Sequence, residues 1–296
     1  MQVAPLSPSV KVQVGLIGST SDAGFYIAEE RGYFKDEGLD CELLPFQSGA
    51  AMVTPAATGQ IDVATGATSA GLFNSIARDI PLRIIADKST NRPGFIFSSV
   101  LIRKDLVDSG QVKSWADMKG RKLAVAALGN VGQMFADFAL RRGGLTWRDV
   151  DLTVLSYPDA GAAFASKSLD ANVAIEPFRT QWPEQGLAVR LADDDQIYPD
   201  NQASVVMYGP QFIQNKGEAA KRLMVAYLRG IRDYNDAFVK KQGRDAVIDI
   251  LIQRTSLKDR PLYDKIGLPG LNPDGEVLFD DLLRQQQWFM DNGYQE

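Results

Sequence analysis

Gly24-Phe-Tyr-Ile-Ala-Glu-Glu-Arg-Gly-Tyr-Phe-Lys-Asp-Glu-Gly-Leu-Asp40 decides the fold of this chain, because its flanks complete a strand, a helix and a second strand around it. Upstream, Val12-Gln-Val-Gly-Leu-Ile17 alternates and then turns apolar, as a strand inside a mostly parallel sheet does. Gly18-Ser-Thr-Ser-Asp22 follows as a polar loop with several helix-capping side chains. Phe25, Ala28 and Tyr33 are expected on one helical face, Gly32 and Gly38 punctuate, and Cys41-Glu-Leu-Leu-Pro-Phe46 opens the next strand. The unit is βαβ.

The alternation continues outward. A helix is expected over 54–60, a strand over 61–65, a helix over 69–78 and a strand over 82–87, which together make an open parallel sheet. Phe95-Ile-Phe-Ser-Ser-Val-Leu-Ile102 suits a crossing into a second lobe. There, strands over 122–127, 151–155 and 172–175 alternate with helices over 131–142, 160–167 and 178–184, and a helical turn is expected at 115–119. The segments 187–191 and 203–208 are expected to carry the chain back to the first lobe, so that two crossings form a hinge. Leu223, Tyr227, Ile231, Tyr234 and Phe238 recur at helical spacing and read as a packing face, and the helices over 247–252 and 277–290 are expected to complete lobe one. The expected architecture is α/β and two-lobed, each lobe an open, mostly parallel sheet flanked by helices. Residues 1–11 are expected as a flexible leader, 12–98 with 203–296 as lobe one, and 99–202 as lobe two.

The pattern Tyr26-Ile-Ala, Gly32-Tyr-Phe34, Gly38-Leu39 resembles the amino-terminal signature of substrate-binding proteins of ABC importers, in the branch of sulfonate, taurine and thiamine-precursor binders. Gly59-Gln-Ile-Asp-Val63, Trp115-Ala-Asp-Met-Lys-Gly-Arg-Lys-Leu-Ala-Val125 and Asp170-Ala-Asn-Val-Ala-Ile-Glu-Pro177 follow in that family's order. The resemblance covers roughly Val12 to Pro177. It implies a periplasmic-binding-protein type II fold, a small organic solute as ligand and an ABC permease as partner.

Composition narrows the function classes. With 32 Lys and Arg against 37 Asp and Glu in 296 residues, the chain has no basic cluster for phosphate backbones, so no nucleic-acid partner is expected. No apolar run approaches the roughly 20 residues that span a bilayer. The chain contains no histidine, which removes the commonest general base and metal ligand and the Ser-His and Cys-His nucleophile systems. The single cysteine, Cys41, reads as a small hydrophobe in a strand. No enzyme activity, cofactor or metal is expected, and the protein is expected to be a monomer. Met1 to Ser9 lacks a basic and then apolar signal, whereas the resemblance implies a periplasmic or other extracytoplasmic location and therefore an export signal.

In open α/β sheets, ligands bind beyond the carboxyl ends of the strands, where loops enter helices. The candidates so selected are Ser19, Thr20, Ser21, Asp22, Phe25, Phe46, Ser48, Thr68 and Lys88 in lobe one, and Asn130, Tyr157 and Glu176 in lobe two. Helix amino termini there can receive a carboxylate or sulfonate. Ser21, Asp22, Thr68 and Asn130 are equally suited to capping the helices that follow, and Lys88 to a solvated surface position. Glu176 stands in Ile-Glu-Pro, which the resemblance places at the cleft. It reads as a ligand acceptor, alone or opposite Asp22, or else as an interlobe hydrogen bond. Phe25, Tyr26, Phe46, Phe73, Tyr157 and Phe178 are candidate walls, about half of which are expected to belong to the core, and Asp193-Asp-Asp195 reads as a solvated acidic turn. Sulfonates, heteroaromatics and aromatic acids all fit these loops. The rivals are an enzyme on the same fold, of pyrimidine-precursor or futalosine type, and a sensor without transport.

Overall fold

The computed structural model describes residues 4–80, 82–92 and 94–295. β1 (Val10–Leu16) leads through a 3-10 turn at Thr20–Asp22 into α1 (Ala23–Glu30). Gly32 takes φ +75°, a left-handed value that ends the helix, so Tyr33 lies on a separate α2 (Tyr33–Asp36) and not on the face of Phe25 and Ala28. β2 (Leu39–Pro45), α3 (Gly49–Ala57), β3 (Val63–Gly66), α4 (Ala70–Ala77) and β4 (Arg83–Asn91) complete the first run. The helix expected over 54–60 starts five residues earlier, because Ser48 caps it by accepting the Ala51 N–H at 3.3 Å.

The second run comprises β5 (Ser98–Arg103), α5 (Lys104–Asp108), β6 (Lys122–Val125), α6 (Val131–Arg141) and β7 (Asp151–Val154). It closes with α7 (Tyr157–Ala165), β8 (Ala171–Ile175), α8 (Phe178–Glu184) and β9 (Ala188–Asp193). α9 (Asp194–Ile197) leads to β10 (Asn201–Tyr208), and helices follow: α10 (Pro210–Asn215), α11 (Gly217–Phe238), α12 (Arg244–Arg254) and α13 (Phe279–Asp291).

Two five-stranded sheets result, ordered β2-β1-β3-β10-β4 and β7-β6-β8-β5-β9. Each is parallel except for one strand: β10 runs against β3 and β4, and β5 against β8 and β9. The reversed strands are those that enter a lobe from the other. The segment 187–191 does not return the chain as expected; β9 pairs with β5, and its Ala188 is packed in the second lobe's core. Only β10 returns.

β1 begins inside the span expected as leader, with Val10 opposite Leu39, and the Leu6 N–H donates to Glu37 O at 3.3 Å. The leader's first three residues lie outside the described residues. All five members of the α11 stripe are buried, and Tyr227 stacks on Phe25 of α1 with ring centroids 4.3 Å apart. α13 does more than complete lobe one. Its Trp288 and Phe289 pack with Ala70 of lobe one and with Val131 and Met134 of lobe two, and Trp288 Nε1 donates to Asp137 Oδ2 at 3.0 Å. Among the described residues no helix is long and apolar enough to cross a membrane.

Candidate functional site: a cavity between the lobes

The loops at the carboxyl ends of β1 and β3 meet those of β6 and β8. Ser69 and Asn130 stand opposite each other in an isolated bridge. Both are helix caps, Ser69 Oγ accepting the Leu72 N–H at the start of α4 and Asn130 Oδ1 the Gln133 N–H at the start of α6. The first amide of each helix is then satisfied by the opposite lobe: Ala70 N–H donates to Gly129 O at 2.7 Å, and Val131 N–H to Thr68 O at 3.2 Å. Thr20 N–H likewise donates to Glu176 O at 3.4 Å. The first amides of α4 and α6 and the Thr20 N–H are therefore occupied, each by a carbonyl across the cleft. The lobes are closed on each other.

Within this closed arrangement lies a cavity of about 60 Å³, measured as space open to the centre of a water-sized sphere. Lobe one contributes Ile17, Ala67, Asn91, Asn201, Ala203 and Ser204; lobe two contributes Ala126, Asn130, Val131, Phe135, Tyr157 and Ile175. Consecutive residues of a regular strand face opposite ways, yet Ala203 and Ser204 both line the cavity. The register explains it: Gln202 pairs with Thr90 and Ser204 with Ser89, which leaves Ala203 as an inserted bulge residue. A shallower depression of about 340 Å³, walled by Phe46, Gln47, Ser156 and Phe178, shares Ile17 and Tyr157 with the cavity. The two spaces adjoin at those side chains.

Of the sequence candidates, Asn130 and Tyr157 line the cavity and Phe46 the outer depression, with Tyr157 stacked on Phe178 at 5.3 Å. The others are held elsewhere. Phe25 is core, fully buried under Tyr227. Lys88 is not a solvated surface residue: it is fully buried, in ion-pair contact with Asp22 at 2.7 Å and donating to Ser21 Oγ at 2.9 Å. Ser19 closes this cluster through a 2.7 Å contact with Ser21 Oγ and an N–H donated to Asp22 Oδ2 at 2.9 Å. Thr20 is buried beside it, Ser48 caps α3, and Thr68 Oγ1 bonds Gln285 of α13.

Glu176 takes the interlobe alternative rather than the ligand role. Its Oε1 accepts from Arg179 Nη1 at 3.0 Å, Thr180 Oγ1 at 2.9 Å and the Gly267 N–H at 2.8 Å, and its Oε2 accepts from the Thr180 N–H at 3.2 Å. With four donors already engaged, the carboxylate serves the interlobe contact to Gly267 and has little left for a ligand, and it does not stand opposite a free Asp22. Asp194 is likewise no solvated turn. It is fully buried, and its Oδ2 accepts the N–H groups of Phe97 and Ser98 and the Ser98 hydroxyl, joining the two hinge crossings.

Burial pushes the Asp87 carboxyl up to about 7, against donors from Asn272 and Gln202, and Asp194 up to about 6, against donors from Ser98 and Phe97. Both therefore bind protons more tightly folded than unfolded. Their contribution to stability is present at low pH and is lost as pH rises through about 6 to 7. Exposed acids held below their usual range, such as Asp117 and Asp149, are ionised in both states above about pH 5 and do not offset this loss. The urea midpoint is expected to fall between pH 5.5 and pH 8, and to fall less in Asp87→Asn; a midpoint that rises over that interval would contradict this assignment.

The residues that sequence reasoning missed are Asn91, Asn201 and Ser204. They sit where β4 and β10 approach the hinge; Asn91 and Asn201 lie outside the strand spans expected over 82–87 and 203–208, and Ser204 lies inside the second, where nothing local marks it as facing a cavity.

Comparison with known proteins settles the family. The chain matches the NMT1-like family over residues 6–251. It belongs to that family. A candidate binding protein of Brucella abortus is 28% identical over 243 residues, 78% of this chain and 69% of the relative. The nitrate/nitrite binding protein NrtA of Synechocystis is 23% identical, over 95% of this chain and 65% of its own length. Among solved structures, the alkanesulfonate-binding protein SsuA of Xanthomonas axonopodis pv. citri, bound to MOPS, superposes with a TM-score of 0.76 at 15% identity, covering 99% of this chain and 96% of that one. The periplasmic aliphatic sulphonate binding protein SsuA of Escherichia coli gives 0.69 at 20% identity, covering 96% and 93%. This NMT1-like chain thus has the fold of those solved periplasmic binding proteins.

Proposed function

We propose that the NMT1-like chain captures a small organic solute between its lobes, outside the cytoplasm, and delivers it as a monomer to an ABC permease without chemically altering it. The observation that carries this reading is the cavity whose walls come from both lobes while backbone hydrogen bonds run from one lobe to the other. A solute held there contacts its full set of partners only when the lobes are closed, so its binding shifts the hinge equilibrium by the difference in affinity between the two states. The relatives named for nitrate, nitrite and sulfonate binding support the import role; the lining that the cavity and the outer depression share at Ile17 and Tyr157 supports entry from the outer depression.

A thermal-shift screen over alkanesulfonates, taurine, short amides, pyrimidines and aromatic acids tests it, with Ala126→Leu as the control that fills the cavity without removing a hydrogen-bonding group. One class is expected to raise the melting temperature of the wild type saturably. Ala126→Leu is expected to fold, to melt within a few degrees of the wild type and to bind at least about tenfold more weakly. A ligand whose affinity is untouched by Ala126→Leu would place binding elsewhere.

A further inference from the structure

Resting on that reading of the cavity, we infer that its solute is uncharged and carries both a hydrogen-bond donor and an acceptor, as a short aliphatic amide does. Three observations converge. Among the described residues, no charged side chain lines the cavity. The buried cations Lys88 and Arg179 are spent, Lys88 on Asp22 at 2.7 Å and Arg179 on Glu176 at 3.0 Å and Asp193 at 2.7 Å. The leading amides of α4 and α6 are given to carbonyls of the opposite lobe. An anion brought into such a space would lose its hydration without meeting a compensating charge, a cost far above that of a neutral polar group.

Besides the Tyr157 hydroxyl, which can donate or accept, the side-chain amides that remain have a fixed sense. Asn201 Nδ2 donates to the Tyr198 carbonyl at 2.5 Å, and a carbonyl can only accept, so Asn201 turns its Oδ1 toward Asn91. Asn91 must then offer Nδ2, at 3.4 Å, which leaves its own Oδ1 as the unspent group. That oxygen is buried with no partner among the described residues, as is Ser204 Oγ. A buried acceptor left without a donor is costly, and both residues stand in the cavity wall. On the lobe-two side, Asn130 spends Oδ1 on the Gln133 N–H, so the part of its amide left over is the donor Nδ2. Lobe one thus holds an unpartnered acceptor and a hydroxyl at its wall, both atoms covered in this closed arrangement, and lobe two a donor, around a space otherwise walled by Ile17, Val131, Phe135 and Ile175.

Size sets the scale. At about 10–15 Å³ per water-sized centre, the cavity holds on the order of four to six non-hydrogen atoms. Propionamide has about five, and a ligand that small binds no more tightly than about micromolar.

The test is calorimetric titration of the intact protein with propionamide, propionate and ethanesulfonate, repeated on Asn91→Leu and Ser204→Ala. Propionamide is expected to bind with one-to-one stoichiometry, and propionate and ethanesulfonate at least about a hundredfold more weakly. Asn91→Leu is expected to weaken propionamide about tenfold. Ser204→Ala, which leaves the Asn91–Asn201 relay intact, is expected to weaken it severalfold and answers the question if Asn91→Leu does not fold. Tighter binding of either anion overturns the neutral-solute inference while leaving the solute-binding reading standing. Failure of all three, together with no response in the wider thermal-shift screen, overturns both.

Discussion

Lys88→Met is expected to destabilise the protein by about 3–5 kcal/mol at neutral pH, because it leaves the fully buried Asp22 carboxylate without its cation. Methionine follows the same buried path, so the loss is electrostatic and not a cavity effect. Adding Asp22→Asn is expected to recover at least half of it, since asparagine can still accept the Ser19 N–H without carrying charge. Urea denaturation of the two single variants and the double variant measures the cycle. A Lys88→Met protein within about 1 kcal/mol of wild type would refute the structural role. If that variant kept its stability and lost solute affinity, Lys88 would return to the binding site, where sequence reasoning had considered it.

Gly230→Ala is the second large effect, and its sign runs against helix propensity. In a helix interior alanine is ordinarily better than glycine by about 1 kcal/mol. Here α11 crosses α1 so closely that a Cβ at residue 230 would overlap the Gly24 carbonyl oxygen and stand 3.2 Å from the Ala28 nitrogen. On the facing helix, a Cβ at Gly24 would stand 2.7 Å from the Tyr227 ring. Both obstacles to Gly230→Ala are backbone and cannot turn aside, so the helices must separate and loosen the Phe25–Tyr227 stack. A net loss of about 3 kcal/mol is expected. Gly217→Ala, at the start of the same helix and with nothing within 4 Å, is the control, expected neutral or slightly stabilising. Equal stability of Gly230→Ala and wild type would mean that the helices do not cross as described.

Much of this fold is legible in the sequence because it is written locally. Strand alternation, the helix stripe of Leu223 to Phe238 and the breaks at Gly32 and Gly38 depend on neighbours within a few residues, and each maps onto an element. The site is less legible because its geometry depends on pairs far apart in sequence. Asn91 meets Asn201 across 110 positions, and Glu176 meets the Gly267 N–H across 91. The rule that ligands bind beyond strand carboxyl ends picks out Asn130 as a cleft residue, and its alternative as a helix cap holds as well. It could not tell that the amides behind the cap would be taken by the opposite lobe. Lys88 and Glu176 were singled out for charge near strand ends, and tertiary structure satisfies both charges internally. The bulge at Ala203, which lets two consecutive residues face the cavity, leaves no mark in the hydrophobic pattern.

The most direct test of the central claim is small-angle X-ray scattering of the purified protein, with and without a saturating amount of the solute that gives the largest thermal shift. The account predicts a smaller radius of gyration with solute, and no such change in Ala126→Leu under the same conditions. Stoichiometric binding with an unchanged radius in the wild type would contradict capture by closure of the two lobes.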